Sequence, residues 1–243
     1  MIKAYFISDL HIGANESEEE HQKQTHFLRF LDEIEKDATH LFIVGDLFDF
    51  WFEYKYVIPK KYFNFLYRFK RLTDKGVEIN YLAGNHDFFL GRFFDEIIGM
   101  KTWLDDYEFE LGGKNFYLFH GDGVAKKDTG YRFLKRVFRN KFNQSIFRWL
   151  HPDFGFRFAR FISGSSRVYT NRLVLKDVED YREYAEKQFD RGFDYVMMGH
   201  KHNPLVYEKN DHKYINLGDW LVNFSYAEFD GNNLELKYYP LKK

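Results

Sequence analysis

Residues 77–87 read VEINYLAGNHD: a strand-length run, rich in apolar side chains, that stops at Gly84 and gives way to an amide, an imidazole and a carboxylate. An apolar run of this length bounded by glycine reads as a buried β-strand, which puts the polar trio at its carboxyl end. Taken alone, the pattern is also that of a plain turn, with Gly84 and Asn85 bending the chain and Asp87 capping the next helix. Recurrence separates the two readings. Asp9 and His11 follow YFIS, Asp46 follows LFIVG, His120 follows FYLF, and His200 and His202 follow YVMMG. Five apolar runs thus end in metal-ligand residue types, and in open α/β sheets the ligand crevice lies outside those carboxyl ends. The turn reading would have to apply independently at every one of them.

Outward from this stretch, strand-length runs alternate with segments of helical period, the pattern of a layered α/β or α/β/β/α domain. Phe27, Leu28, Leu31 and Ile34 repeat at helical spacing after the first strand, and KKYFNFLYRFKRLTDKG predicts a second helix ended by Gly76. A short helix is expected around Phe93 to Ile98. YEFEL and KNFYLF, joined at Gly112–Gly113, predict a hairpin, and strand character returns over residues 194–239. Residues 124–190 differ: helical in character, rich in Arg, Lys and Phe, without a strand of the core type. The expected fold class is α+β, a four-layer α/β/β/α sandwich, with a core of residues 1–123 and 191–243 and an inserted helical cap of residues 124–190. At 243 residues such a chain buries a full core without staples.

The donor types restrict the chemistry. There is no cysteine, so thiolate sites, cysteine nucleophiles and disulfides are excluded, and any metal must use oxygen and imidazole. Asp9, His11, Asp46, Asn85, His120, His200 and His202 supply enough donors for two divalent ions bridged by one carboxylate, at a separation of about 3.5–4 Å. Asp46 is the candidate bridge. Mixed imidazole and oxygen ligation suits Mn²⁺ first, with Fe²⁺ and Zn²⁺ as alternatives, over Mg²⁺ or Ca²⁺. Such a pair activates water and clamps a phosphoryl group, so the implied reaction is hydrolysis at phosphorus. His86, next to Asn85, is the candidate general acid or charge stabiliser. Asp87 is expected to orient His86 from behind, and Asp49 to do the same for a ligand histidine.

In order, the blocks DLH, GDLFD, GNHD, HGD and GHKH resemble the five signatures of the calcineurin-like metallophosphoesterase superfamily, over residues 9–202. The resemblance implies a two-sheet sandwich flanked by helices. It places one metal on Asp9, His11, Asp46 and His202, the other on Asp46, Asn85, His120 and His200, and makes His86 the catalytic histidine. GDLFDFWFEYK, HGDGVAKKDTGYRFLKRVF and LGDW are similar to the UDP-2,3-diacylglucosamine pyrophosphohydrolase family of lipid A biosynthesis. That likeness implies release of UMP and lipid X, a lid that binds acyl chains, and substrate positioning by Asp128 and Tyr131. Many members of that family carry arginine at the position of His86, whereas this chain keeps the histidine of the wider superfamily.

Between Tyr131 and Arg172 ten basic residues face the single acid Asp153, so the segment carries about +9 in a chain whose net charge is -1. Phe, Leu and Trp are interleaved with them. A cationic amphipathic helix with aromatic residues on its apolar side is the profile of an element at an anionic membrane surface. Arg157, Arg160, Arg167 and Arg172 are accordingly expected, with Asn85 and His86, to contact a nucleotide-linked glycolipid. Two other readings stand beside this one: the aromatics pack the cap itself, or the basic residues bind single-stranded nucleic acid in a phosphodiesterase or phosphatase. A non-catalytic interaction platform would show eroded ligands, and every expected position is filled. No run of about 18 apolar residues predicts a transmembrane helix, and MIKAYFISDLH has no leader pattern. The expected setting is cytoplasmic, peripheral to the inner membrane, with no stable protein partner and no nucleic acid.

Overall fold

The computed structural model describes residues 1–87, 89–124, 140–156 and 177–240. Among the described residues eleven strands form two sheets. The first has the order β11-β10-β1-β2-β3-β4 and the second the order β5-β6-β7-β9-β8. In the first, β1 (Ala4–Ile7), β2 (His40–Val44), β3 (Glu78–Leu82) and β4 (Lys101–Trp103) run parallel. There β10 (Ser225–Phe229) and β11 (Leu234–Tyr238) close one edge antiparallel. In the second, β6 (Lys114–Phe119), β7 (Tyr195–Met198) and β9 (His212–Asn216) are parallel. They are flanked by antiparallel β5 (Tyr107–Leu111) and β8 (Leu205–Lys209). The β5–β6 hairpin turns through Gly112 and Gly113, with φ of 61° and 74°, a conformation only glycine takes readily.

Strand periodicity assigns the layers. Ala4, Phe6, Phe42, Val44 and Leu82 point inward to meet Phe116, Leu118, Met197 and Ile215 of the other sheet. The alternate residues Tyr5, Ile7, Leu41, Ile43, Ile79 and Tyr81 point outward, under α1 (Glu18–Ile34) and α2 (Phe63–Asp74). Ser17 caps α1 by accepting from the Glu20 N–H. The helix buries Phe27, Phe30, Leu31 and Ile34, close to the stripe expected of it. Such a large inner aromatic content stacks rather than merely fills: Phe6 and Phe42 lie parallel at 4.6 Å between ring centres, as do Phe42 and Phe109.

On the outer face of the second sheet, Tyr117, Val196, Met198 and Tyr214 are covered by Tyr181, Ala185 and Phe189 of α4 (Asp177–Phe189). This corrects the expected domain boundary. The cap range 124–190 includes α4, yet α4 is the fourth layer of the core, because its i, i+4, i+8 apolar stripe closes a sheet face that would otherwise be wet. The expected short helix at Phe93–Ile98 is a π-type turn, Phe94–Ile98, stopped by left-handed Gly99. Of the cap, α3 (Lys141–Arg148) is described. Its Phe147 packs on Phe50 and Phe52, and Phe156 beyond it packs on Phe50. Asp128, Tyr131, Arg157, Arg160, Arg167 and Arg172 lie outside the described residues.

Candidate metal centre

Five loops, leaving β1, β2, β3, β6 and β7 at their carboxyl ends, bring the expected donors to one place. Asp9, His11 and His202 present ligand atoms all within 4.8 Å of one another, as do Asp9, Asp46 and His120, and also His11, Asp46 and His86. His11 Nε2 lies 3.3 Å from His202 Nε2 and 3.7 Å from Asp46 Oδ2. His202 Nε2 is 3.2 Å from Asp9 Oδ1, and His120 Nε2 is 3.4 Å from Asp46 Oδ2. Asn85 Oδ1 sits 3.0 Å from both His120 Nε2 and His200 Nδ1. Asp46 therefore stands between two sets, one of Asp9, His11 and His202, the other of Asn85, His120 and His200.

The backbone is bent to achieve this. Asp9, His11, Asp46, His200 and His202 all have left-handed φ, between 46° and 69°. Each such non-glycine residue costs on the order of 1–3 kcal/mol and persists only where its surroundings hold it. Glycines make room for the side chains. A Cβ on Gly84 would lie 2.1 Å from Asp46 Oδ1, one on Gly199 2.3 Å from Asp9 Oδ2, and one on Gly45 2.2 Å from His120 Nδ1. This is the physical reason that glycine precedes the ligand in GD, GNH and GHKH.

The carboxylates and imidazoles of the cluster set one another's proton affinity. Burial pushes the Asp46 carboxyl up, but His120, His86 and His11 beside it outweigh burial and hold it well below the usual range. Burial acts on His120 in the opposite sense and is outweighed by Asp46, so this imidazole is raised well above its ordinary value. His200, buried and next to His120, is pushed down to about 4. His202 is raised, the Asp9 carboxylate outweighing burial.

The donor set fits divalent cations. Two imidazole nitrogens at 3.3 Å face each other across a space one proton or one cation can satisfy. Asp9 Oδ1 is buried and faces His202 Nε2 at 3.2 Å, and the remaining donors are the nitrogen and oxygen types such ions take. Three of the histidines are oriented by other contacts. His120 Nδ1 donates to the Val44 carbonyl at 2.9 Å, the backbone N–H of His200 donates to Asp9 Oδ2 at 2.8 Å, and His86 Nδ1 donates to the Asp49 carbonyl at 2.9 Å.

His86 stands edge-on to the His11 ring at 4.6 Å, and with Nδ1 engaged it turns Nε2 toward the cluster. The expectation that Asp87 orients this ring does not match the geometry. Its carboxylate, fully buried, accepts from the backbone N–H groups of Gly84, Asp46 and Leu47 at 2.7–3.2 Å, more weakly from Phe48, and from the Tyr81 hydroxyl. Asp87 thus holds the loop that carries Asp46. The group behind His86 is Asp49, whose Oδ1 lies 3.7 Å from His86 Nδ1.

Several supporting residues were not foreseen. Lys23 of α1, buried and paired with Glu20, donates from Nζ to the carbonyls of Leu10 and His11. Asn216 donates to the Gly199 carbonyl, and Asn223 to the His202 carbonyl. Asp219, in the LGDW block, accepts from the N–H groups of Leu221, Val222 and Asn223. Tyr181 donates to the Gly121 carbonyl. Only the LGDW block carried a signal in the sequence; the others look like ordinary helix-surface or turn residues.

A family model described as calcineurin-like phosphoesterase matches residues 2–204. A UDP-2,3-diacylglucosamine hydrolase of Porphyromonas gingivalis is 31% identical, with 97% of each chain covered. One of Neisseria meningitidis serogroup B is also 31% identical, over the whole of both chains. Among solved structures, an archaeal phosphodiesterase superposes with a TM-score of 0.51 at 14% identity, over 97% of this chain and 99% of that one, a likeness of fold. Matched over most of its length and carrying the metal-ligand cluster at its strand ends, the chain belongs to the calcineurin-like phosphoesterase family and is a metal-dependent hydrolase.

Proposed function

We propose that the protein hydrolyses the pyrophosphate of UDP-2,3-diacylglucosamine, giving UMP and 2,3-diacylglucosamine 1-phosphate, with two divalent cations, Mn²⁺ by preference. The observation that carries this reading is the joint one: a complete donor cluster around Asp46, in a chain aligned end to end with relatives named for that hydrolysis. Asp9, His11, Asp46 and His202 would hold one cation, and Asp46, Asn85, His120 and His200 the other. Cations there would supply a Lewis acid for the phosphoryl oxygens and lower the pKa of water. His86, held by the Asp49 carbonyl, carries a proton on Nε2 to the leaving oxygen or stabilises charge as it develops there. Asn85, one residue before it, would offer its amide N–H to a phosphoryl oxygen while Oδ1 faces His120 and His200.

The same reading puts the protein at the cytoplasmic surface of an anionic membrane, where its substrate resides. Support comes from two neighbouring segments. Tyr56, Val57, Ile58, Phe63 and Tyr67 are exposed near Lys55 and Lys60, and Phe142, Ile146, Trp149 and Phe154 are exposed on and after α3, near Arg148. Among the described residues no helix is long and apolar enough to cross a membrane.

The test is direct. Purified protein with Mn²⁺ should release UMP from UDP-2,3-diacylglucosamine. Absence of UMP with every divalent metal tried, or faster cleavage of a simple nucleotide or oligonucleotide, would overturn the assignment.

A further inference from the structure

The Asp9, His11 and His202 set has a feature that the ligand list alone does not explain. All three residues are left-handed, with φ of 53°, 46° and 50°. In each of them the backbone carbonyl is caught by a donor from a different part of the chain. The Trp220 N–H donates to the Asp9 carbonyl at 3.3 Å. Lys23 Nζ donates to the His11 carbonyl at 3.1 Å and to the preceding Leu10 carbonyl at 2.9 Å. Asn223 Nδ2 donates to the His202 carbonyl at 3.1 Å.

These donors are themselves fixed. Lys23 and Glu20 are both buried and ion-paired, and Glu20 Oε1 accepts from the Gly13 N–H at 2.8 Å, so one helix turn grips the DLHIG loop from both ends. Asn223 Nδ2 is also held by Asp219 Oδ2 at 2.7 Å. A buried ion pair is an expensive device for stability alone, since apolar replacements of similar volume are often neutral or better. What it supplies here is a fixed direction for two carbonyls in a strained loop.

We propose that Lys23 and Asn223 are positioning residues for the metal set of Asp9, His11 and His202, acting through the carbonyls of His11 and His202. The proposal rests on the two-cation reading above. Both residues meet the metal set at backbone carbonyls. Each fixes the backbone torsion from which a ligand imidazole projects, and metal affinity depends on that projection.

The experiment titrates metal-free protein with Mn²⁺ by calorimetry and records the melting temperature of the metal-free protein alongside. The variants are Glu20→Gln/Lys23→Met, which removes the ammonium while keeping an acceptor for Gly13 and leaving no orphaned charge, and Asn223→Ala. Wild type should bind two Mn²⁺. In each variant one binding event should weaken roughly 10–100-fold while the other is retained, with the metal-free protein still unfolding cooperatively and turnover recovered at high Mn²⁺. Two events of wild-type affinity in both variants would overturn the proposal. So would equal weakening of both events together with a lower metal-free melting temperature, the signature of general structural damage. A wild-type protein that binds no Mn²⁺ would remove the two-cation reading, and this inference with it.

Discussion

Replacing Asp87 with alanine should unfold the protein more than it should alter the chemistry of His86. The Asp87 carboxylate is the acceptor for three backbone N–H groups at 2.7–3.2 Å, those of Gly84, Asp46 and Leu47, and for the Tyr81 hydroxyl, all in a buried setting. Leaving a buried donor without an acceptor costs about 1–3 kcal/mol. With partial relaxation of the loop, the sum for Asp87→Ala comes to about 3–5 kcal/mol, within the range reserved for broken buried networks. That is a large share of a typical total of about 5–15 kcal/mol. At about 2–4 °C per kcal/mol for a chain of this size, the melting temperature should fall by roughly 10 °C. The measurements are thermal and urea unfolding of the metal-free protein, so that metal loss does not add to the difference. Burial, and then the charge of Asp46, raises the Asp87 carboxyl to about 6, so Asp87→Asn, which keeps one acceptor oxygen and sheds the charge, should fall between wild type and alanine. If Asp87→Ala changed stability by less than about 1 kcal/mol and instead reproduced the kinetics of His86→Ala, the loop-holding role would be wrong and the ring-orienting role restored.

His86→Ala should keep its metal content and lose roughly 10²–10⁴ in turnover, the contribution of a positioned acid or base; metal analysis showing loss of a cation would make His86 a ligand. Gly84→Ala places a Cβ 2.1 Å from Asp46 Oδ1 and 2.4 Å from the Asp46 backbone nitrogen, so both metal binding and stability should fall, and normal Mn²⁺ stoichiometry would refute the close-approach argument. Glu35 is held below its ordinary carboxyl value by hydrogen bonds from Arg71 and then Lys75. Its stabilising contribution is therefore present above the unfolded value near 4.5 and is lost as pH falls through the lower folded value. The urea midpoints of wild type and Glu35→Gln should differ at pH 7 and converge in acid, and a gap independent of pH would contradict the ion-pair assignment.

How much of this was legible in the chain depends on where the information sits. The ligands were readable because each is local to a strand end: an apolar run fixes the strand, and the sheet fixes where its carboxyl end points, so Asp9, Asp46, Asn85, His120 and His200 converge without further instruction. The room that Gly45, Gly84 and Gly199 leave for the ligands shows only in the packed structure. β4 escaped notice because three half-exposed residues carry too little pattern. The extent of the cap was misjudged because α4, like the cap, is helical and charged, and its membership of the core is decided by the sheet face it covers.

The supporting residues fall on the other side of that divide. Lys23 and Glu20 sit in the polar first turns of an amphipathic helix, where charge ordinarily means solvent, and only the approach of the DLHIG loop converts them to buried partners. Asp87 occupies a cap position by sequence, yet its acceptors are spent on a loop 40 residues away. Asn223 resembles any turn residue. Ligand identity follows from chemistry, since cations accept few donor types. The groups that steady ligands need only offer a hydrogen bond to a carbonyl or an N–H, which nearly every polar side chain can do. A metal site is therefore legible inward from its donors and illegible outward from its supports.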